Sequence, residues 1–248
     1  MQGLIRGIEG IRRGDTVVLC FPYAGGGASF YYRWQGLLPE RFRVCPVQLP
    51  GREDRMGEKA YTRITDAADD VLRELAGIRN PIILFGHSMG TKLAYEVEKR
   101  LEREGRPALS LIVSACPPPH CREKNPIGHL PDEAFSRELI KLNGVPRALA
   151  EDQDLLRFFL PLLRGDFLLS ETYRCETVVR VQCPVRVLGG RSDSEAEEKD
   201  LLGWRAYNPA GFSLRLFDGD HFYIRDHLPE VTGEIARCGV PGTGGIVA

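Results

Sequence analysis

The run Gly86-His-Ser-Met-Gly90 sets a serine midway between two glycines, and the residues after it turn amphipathic. A serine becomes a nucleophile when an imidazole takes its proton, a carboxylate orients that imidazole, and N–H groups stand ready for the oxyanion. The chain has five histidines. His87 is held in the turn beside Ser88 and is a poor base, His120 and His129 fall in a long insertion, and His227 lies just before Pro229 at a helix start. His221 follows a strand through Asp218-Gly-Asp220 and is the best-placed base. Asp193, in the polar turn Arg191-Ser-Asp-Ser194 after another strand, supplies the acid and gives the chain order Ser, Asp, His. Asp218 and Asp220 sit too near His221 along the chain to orient it from behind, which leaves Asp166 as the competing carboxylate. Each residue has a plainer reading: Ser88 as a helix N-cap, Asp193 as an Asx-turn residue, His221 as polar surface. Three candidates at three strand ends in that order favour the chemical reading of all of them together.

Such a serine needs a sharp strand-to-helix turn to hold it. Pro81-Ile-Ile-Leu-Phe85 is an apolar run of strand length, and Leu93, Ala94 and Val97 recur at helical spacing beyond the turn. A turn this tight strains its central residue, so small neighbours are needed two positions either side, and Gly86 and Gly90 supply them. The amide of Met89 then lies at a helix N-terminus, where partial positive charge stabilises an oxyanion. A second donor is sought at the end of another strand. Thr16–Phe21 runs straight into Pro22-Tyr-Ala-Gly-Gly-Gly27, where consecutive glycines let backbone N–H groups face a site. The Lys-Ser/Thr of a P-loop is missing and the spacing is wrong for a dinucleotide fingerprint, so the economical reading is the second half of an oxyanion hole, with Ala24 as donor.

Further strands are expected at 42–48 and 108–116, and helices at 29–38 (Phe30, Trp34 and Leu37 or Leu38 on one face) and 66–75. The alternation of strand and helix implies a parallel sheet covered on both faces. From 117 to 180 it breaks off. Helical signals fill that gap: a start at Pro131-Asp-Glu followed by Phe135, Leu139, Ile140 and Leu142, then 154–163 with Pro161 expected to kink or divide it, then Phe167-Leu-Leu. Insertions of this length are lids or caps more often than decoration, although a subdomain that only packs on the sheet is the plainer reading. Strands at 183–189 and 212–217 and helices at 195–207 and 231–238 complete the chain, with 1–15 a loose lead-in and Gly239 onward frayed.

Composition narrows the partners. The 248 residues carry 33 basic and 34 acidic side chains, a formal net charge of -1, so no global field favours nucleic acid or an anionic membrane. The longest apolar runs, such as 109–116, fall far short of a membrane span, and 1–14 carries Glu9 and several arginines, so neither signal peptide nor anchor is expected. Seven scattered cysteines suit reduced core thiols in a cytosolic protein. Cys116, His120 and Cys121 cluster around a Pro-rich turn, but no second Cys/His pair with structural-zinc spacing accompanies them.

Cys20-Phe-Pro-Tyr-Ala-Gly-Gly-Gly27, Val47-Gln-Leu-Pro-Gly-Arg-Glu53, Gly86-His-Ser-Met-Gly90, Phe159-Leu-Pro-Leu-Leu-Arg-Gly-Asp-Phe167 and Gly219-Asp-His-Phe222 together resemble the type II thioesterases that accompany nonribosomal peptide and polyketide synthetases. The likeness runs from about Val17 to Tyr223, and Leu-Pro-Gly-Arg-Glu is far more specific than the serine turn. It implies a single α/β-hydrolase domain over 1–248, a mostly parallel sheet with helices on both faces and a helical lid insertion at 117–180. It also implies a cytoplasmic enzyme of antibiotic or siderophore assembly that hydrolyses acyl groups misloaded on the phosphopantetheine arm of acyl or peptidyl carrier proteins. By position, Ser88 is the nucleophile, His221 the base, Asp193 the acid, and Ala24 and Met89 the oxyanion donors. No cofactor, metal, membrane or nucleic acid is expected, and the protein is expected to be a monomer. Ser194 departs from the Pro that many relatives carry after the acid. Arg52, Arg55 and Lys92 could meet an acidic carrier. Three rivals stand beside this reading: a medium-chain fatty acyl or product-releasing thioesterase, a carboxylesterase or lipase with the same triad, and a non-catalytic module that only binds a carrier or ligand.

Overall fold

The β-branched and apolar run Thr16–Phe21 (β1) is buried at every position, as a central strand covered on both faces must be. Phe42–Pro46 (β2), Ile82–His87 (β3), Ser110–Ser114 (β4), Val185–Gly190 (β5) and Phe212–Phe217 (β6) join it in a six-stranded parallel sheet, order β2-β1-β3-β4-β5-β6. This is the α/β-hydrolase architecture expected from the sequence, seen in a computed structural model that describes residues 3–145 and 147–238. The expected fraying from Gly239 onward lies outside the described residues. The strand order reverses at β1, with β2 on one side and β3 on the other, and the register sets Phe21 beside Gly86. The loops leaving β1 and β3 therefore emerge together at the crevice where open parallel sheets bind ligands.

Ile64–Glu74 (α1) and Met89–Arg103 (α2) cover one face, where Ala67, Val71, Leu93 and Val97 pack on Val17, Leu19 and Leu84. Between β4 and β5 lie Asp132–Lys141 (α3), Arg147–Glu151 (α4) and Gln153–Thr172 (α5), with a small apolar cluster of their own around Phe135, Leu139, Leu156, Leu160 and Leu163. Glu198–Leu201 (α6) follows β5, and Leu228–Cys238 (α7) closes the opposite face with Ile235 near Val18, Phe85 and Trp34. Among the described residues no helix is long and apolar enough to cross a membrane.

Several expected elements differ, each for a physical reason. Ala28–Leu37 is a 3₁₀ helix whose buried residues Ala28, Tyr31 and Trp34 stack on one face at a three-residue repeat; Leu37, next in that series, is exposed at the helix end, and Leu38 just beyond it is buried. The 195–207 stretch is the short α6 followed by a 3₁₀ turn at Leu202–Ala206. Helix α5 is not divided at Pro161, which sits on its exposed side one turn after the exposed Arg157, where water can meet a carbonyl deprived of its partner. The lead-in is docked rather than loose: Leu4 and Ile5 are buried, Ile5 bridges to Val47, and the Ile5 amide donates to Glu74 at 2.8 Å.

Phe85 is fully buried with its ring edge on Trp34, the centroids 4.8 Å apart, whereas Phe158 on α5 is 64% exposed. Phe85→Ala is expected to cost about 3–5 kcal/mol of unfolding free energy in urea melts, and Phe158→Ala less than about 0.5 kcal/mol.

Candidate active site

Only Ser88 separates the end of β3 from the start of α2, and it is held at φ 53°, ψ -122°, a conformation that a side chain adopts only under constraint. The constraint comes from the turn's own hydrogen bonds. The Ser88 amide donates to the Ser114 carbonyl at 2.8 Å, the Thr91 amide to the Ser88 carbonyl at 2.9 Å, and the Thr91 hydroxyl to the Gly86 carbonyl at 2.8 Å. A Cβ on Gly86 would lie 2.4 Å from the Gly90 carbonyl oxygen, and one on Gly90 would lie 2.1 Å from that of Phe21. Both glycines are thus required by close approach of backbone, as the sequence spacing anticipates.

The loops after β5 and β6 bring the other two candidates to this turn. His221 Nε2 is 2.9 Å from Ser88 Oγ, and His221 Nδ1 is 2.9 Å from Asp193 Oδ2. Asp193 is buried, and its Oδ1 accepts from the amides of Glu195 at 2.9 Å and Ala196 at 3.2 Å, which fixes the carboxylate behind the imidazole. Ser194 in place of Pro leaves that turn intact. Burial opposes the imidazolium at His221, but the hydrogen bond and charge of Asp193, with Glu195 and Asp220 adding, raise its pKa above the usual value. Asp220 is occupied by the Phe222 amide and Asn143, and His227 Nε2 lies 2.8 Å from the Asp218 carbonyl.

His87 has a supporting role that its place in the motif does not reveal. Its ring is fully buried 5.4 Å from that of His221, and its Nδ1 contacts Ser114 Oγ at 2.8 Å, which in turn contacts the Tyr223 hydroxyl at 2.6 Å. Burial first, then the nearby His221 and Arg225, push its pKa well below the usual histidine value, so it stays neutral. Ser114 and Tyr223 carry no local signal, one being a strand end and the other an ordinary aromatic.

Ser88 and His221 open on a cavity of about 90 Å³ walled by Tyr23, Ala24, Met89, Cys116, Leu142 and Phe167 among others. Met89 is the first residue of α2, so its N–H has no acceptor within the helix and is free for an oxyanion; Ala24, in the loop after β1, lines the same space. Asp166 stands apart from the triad, buried in an ion pair with Arg52. That pair also corrects the expected carrier contacts. Arg52 is only 4% exposed, Arg55 forks onto Glu58 and donates to the Gln48 carbonyl, and Lys92 is buried against Glu123 and the Ser170 carbonyl. All three are engaged within the fold. Cys116, His120 and Cys121 do not converge: the Cys116 thiol donates to the Pro117 carbonyl, His120 contacts the Tyr207 hydroxyl, and Cys121 is exposed.

The thioesterase-domain family model matches residues 16–238. A probable cadicidin biosynthesis thioesterase of Streptomyces griseus is 35% identical over 222 residues, 89% of this chain but 62% of that longer protein, so the chain spans less than two thirds of it. The gramicidin S biosynthesis protein GrsT of Aneurinibacillus migulanus is 34% identical over 86% of this chain and 85% of its own. Among solved structures, the type II thioesterase BorB from the borrelidin biosynthetic cluster superposes with a TM-score of 0.84 at 35% identity, covering 92% of this chain and 94% of that one.

A base must be unprotonated to accept the serine proton, so acyl transfer is expected to fall as pH drops through the raised His221 pKa, with kcat/KM showing an acid limb above 6.5. Asp193→Asn removes what raises that pKa. It is expected to shift the limb to lower pH and to reduce the plateau by about 10³–10⁴-fold.

Proposed function

The chain belongs to the thioesterase family, and we propose that it hydrolyses acyl thioesters on the phosphopantetheine arm of carrier proteins, clearing misloaded groups from a nonribosomal peptide or polyketide assembly line. The observation that carries the catalytic part is the unbroken relay from Asp193 through His221 to Ser88, opening on the cavity that Ala24 and Met89 line. Ser88 Oγ gives its proton to His221 Nε2 and attacks the thioester carbonyl, while the amides of Ala24 and Met89 hold the oxyanion. The C–S bond breaks and the arm leaves as a thiol, taking the proton from His221. Water, deprotonated by the same nitrogen, then attacks the acyl-Ser88 ester; the C–Oγ bond breaks, Ser88 takes back the proton from His221, and the acid is released. Thiolate is a good leaving group, so little is asked of His221 as an acid. The reaction needs no cofactor of the protein's own.

Beside the cavity, and sharing Tyr23, Gly144 and Leu163 with it, a groove of about 890 Å³ runs past Phe30 and Phe159 with the exposed Arg33 and Arg225 on its walls. In this reading the groove admits the arm, those arginines replace Arg52, Arg55 and Lys92 as the cationic contacts for a carrier, and residues 117–180 act as a lid. The protein works as a cytoplasmic monomer. The narrow space at Ser88 favours short acyl groups over medium fatty chains.

The test is hydrolysis of acetyl- and decanoyl-carrier proteins beside the matched coenzyme A thioesters and a simple acetyl ester. Acetyl-carrier is expected to turn over fastest. Decanoyl-carrier far ahead would indicate a product-releasing enzyme, and preference for the simple ester a carboxylesterase. Ser88→Ala is expected to form no acyl-enzyme and to lose at least about 10³-fold in rate; full turnover by it would sink the mechanism.

A further inference from the structure

The loop 47–53 grips the glycine loop at 25–29 through each of its polar side chains. Gln48 Oε1 accepts from the Ala28 amide at 2.6 Å, Glu53 accepts from the Ser29 hydroxyl at 2.6 Å, and Arg52 Nη1 donates to the Gly26 carbonyl at 3.1 Å. Helix α5 closes on both loops from the insertion. Asp166 Oδ2 accepts from the Gly25 amide at 2.7 Å and from Arg52 Nη1 at 2.6 Å, and its Oδ1 accepts from Arg52 Nη2 at 2.8 Å. The carboxylate is thus saturated by a backbone N–H and a two-pronged guanidinium, and both ionic side chains are buried, 4% and 3% exposed. Contact continues one turn earlier, where Leu163 packs so closely on Gly25 (φ 78°) that a Cβ there would come within 2.4 Å of it.

Gly25 directly follows Ala24, and its amide is spoken for by Asp166, so the Ala24–Gly25 peptide, joined through the Ala24 Cα to the peptide that carries the Ala24 N–H, is held by a residue of the insertion 141 positions away in sequence. We infer that Asp166, paired with Arg52, is a positioning residue of the oxyanion loop, so that α5 assembles the oxyanion hole as well as covering it. The inference rests on the reading of Ser88 as nucleophile and Ala24 as donor. With α5 displaced, Arg52 would be left as a buried unpaired cation and the Gly25–Gly26 segment would lose its anchors, a state in which acyl transfer stalls. Chemistry is thereby confined to the arrangement in which the insertion is down.

The test compares wild type with Asp166→Ala, Asp166→Asn and Arg52→Lys on acetyl-carrier protein. It also measures binding of an acetyl-like trifluoromethyl ketone, which Ser88 converts to a tetrahedral oxyanion adduct. Loss of a well-placed oxyanion donor predicts kcat down by about 30- to 100-fold with KM within about threefold. Ketone affinity should fall by the same factor as kcat/KM, while the acid limb of the pH profile stays where wild type has it, because His221 and Asp193 are untouched. Arg52→Lys, which keeps the charge but not the two-pronged geometry, should share the loss. Asp166→Asn is isosteric and carries the test if Asp166→Ala does not fold. Folded variants with kcat within twofold of wild type, a loss confined to KM, or unchanged ketone affinity would overturn the inference. A wild type that cleaves no acyl thioester would instead overturn the functional reading beneath it.

Discussion

The strained peptide at Ser88 is the constraint on which the site depends. A side chain at φ 53° is stable only where its surroundings leave no alternative, and here β1, β3, β4 and α2 all converge on it. Backbone approaches that would put a Cβ on Gly86 or Gly90 within 2.4 Å of a carbonyl oxygen leave no room for relaxation. The same compression turns the serine Oγ into the cavity, with a helix-end amide beside it and His221 within 2.9 Å. Stability of the sheet and geometry of Ser88 are therefore one property, and the buried Ser114 joins them by accepting the Ser88 amide on its carbonyl and contacting His87 with its hydroxyl.

What could be read from the chain was what is encoded locally. β1 and β6 lie where their apolar runs place them, and Ser88, Asp193 and His221 were recognisable because each follows a strand and so must reach one sheet edge. The misreadings are tertiary in origin. Nothing near Ala28 announces a three-residue repeat until Tyr31 and Trp34 are seen to share a face, and Pro161 breaks no helix because its exposed side has water to satisfy the orphaned carbonyl. Arg52 and Asp166 looked like a surface cation and a spare acid, since a partner 114 residues distant leaves no mark on either neighbourhood.

Helix α2 illustrates how much charge this fold takes inside. Lys92, Glu96 and Glu98 are all buried along it, which an amphipathic pattern read from Leu93, Ala94 and Val97 would assign to solvent. Glu96 is met by Lys99, Arg100 and Tyr173, Glu98 by the Ala108 amide, and Lys92 by Glu123 and a carbonyl of α5. Lys92 and Glu96 are thereby met by opposite charge, whereas at Glu98 burial raises the carboxyl pKa to about 7, so that it sheds charge instead of pairing it. Two of these contacts, Lys92 with the Ser170 carbonyl and Glu96 with Tyr173, also tie the insertion to α2.

One wall of the cavity has a bearing on which atom carries the acyl group. Cys116 lines the same cavity as Ser88, and a thiolate there would be a stronger nucleophile than a hydroxyl. Burial holds that thiol protonated, its pKa pushed up to about 12, with its hydrogen directed to the Pro117 carbonyl. Under the proposed mechanism, an acyl unit on Ser88 thus meets no competing thiolate on that wall and stays on an oxygen that water can discharge.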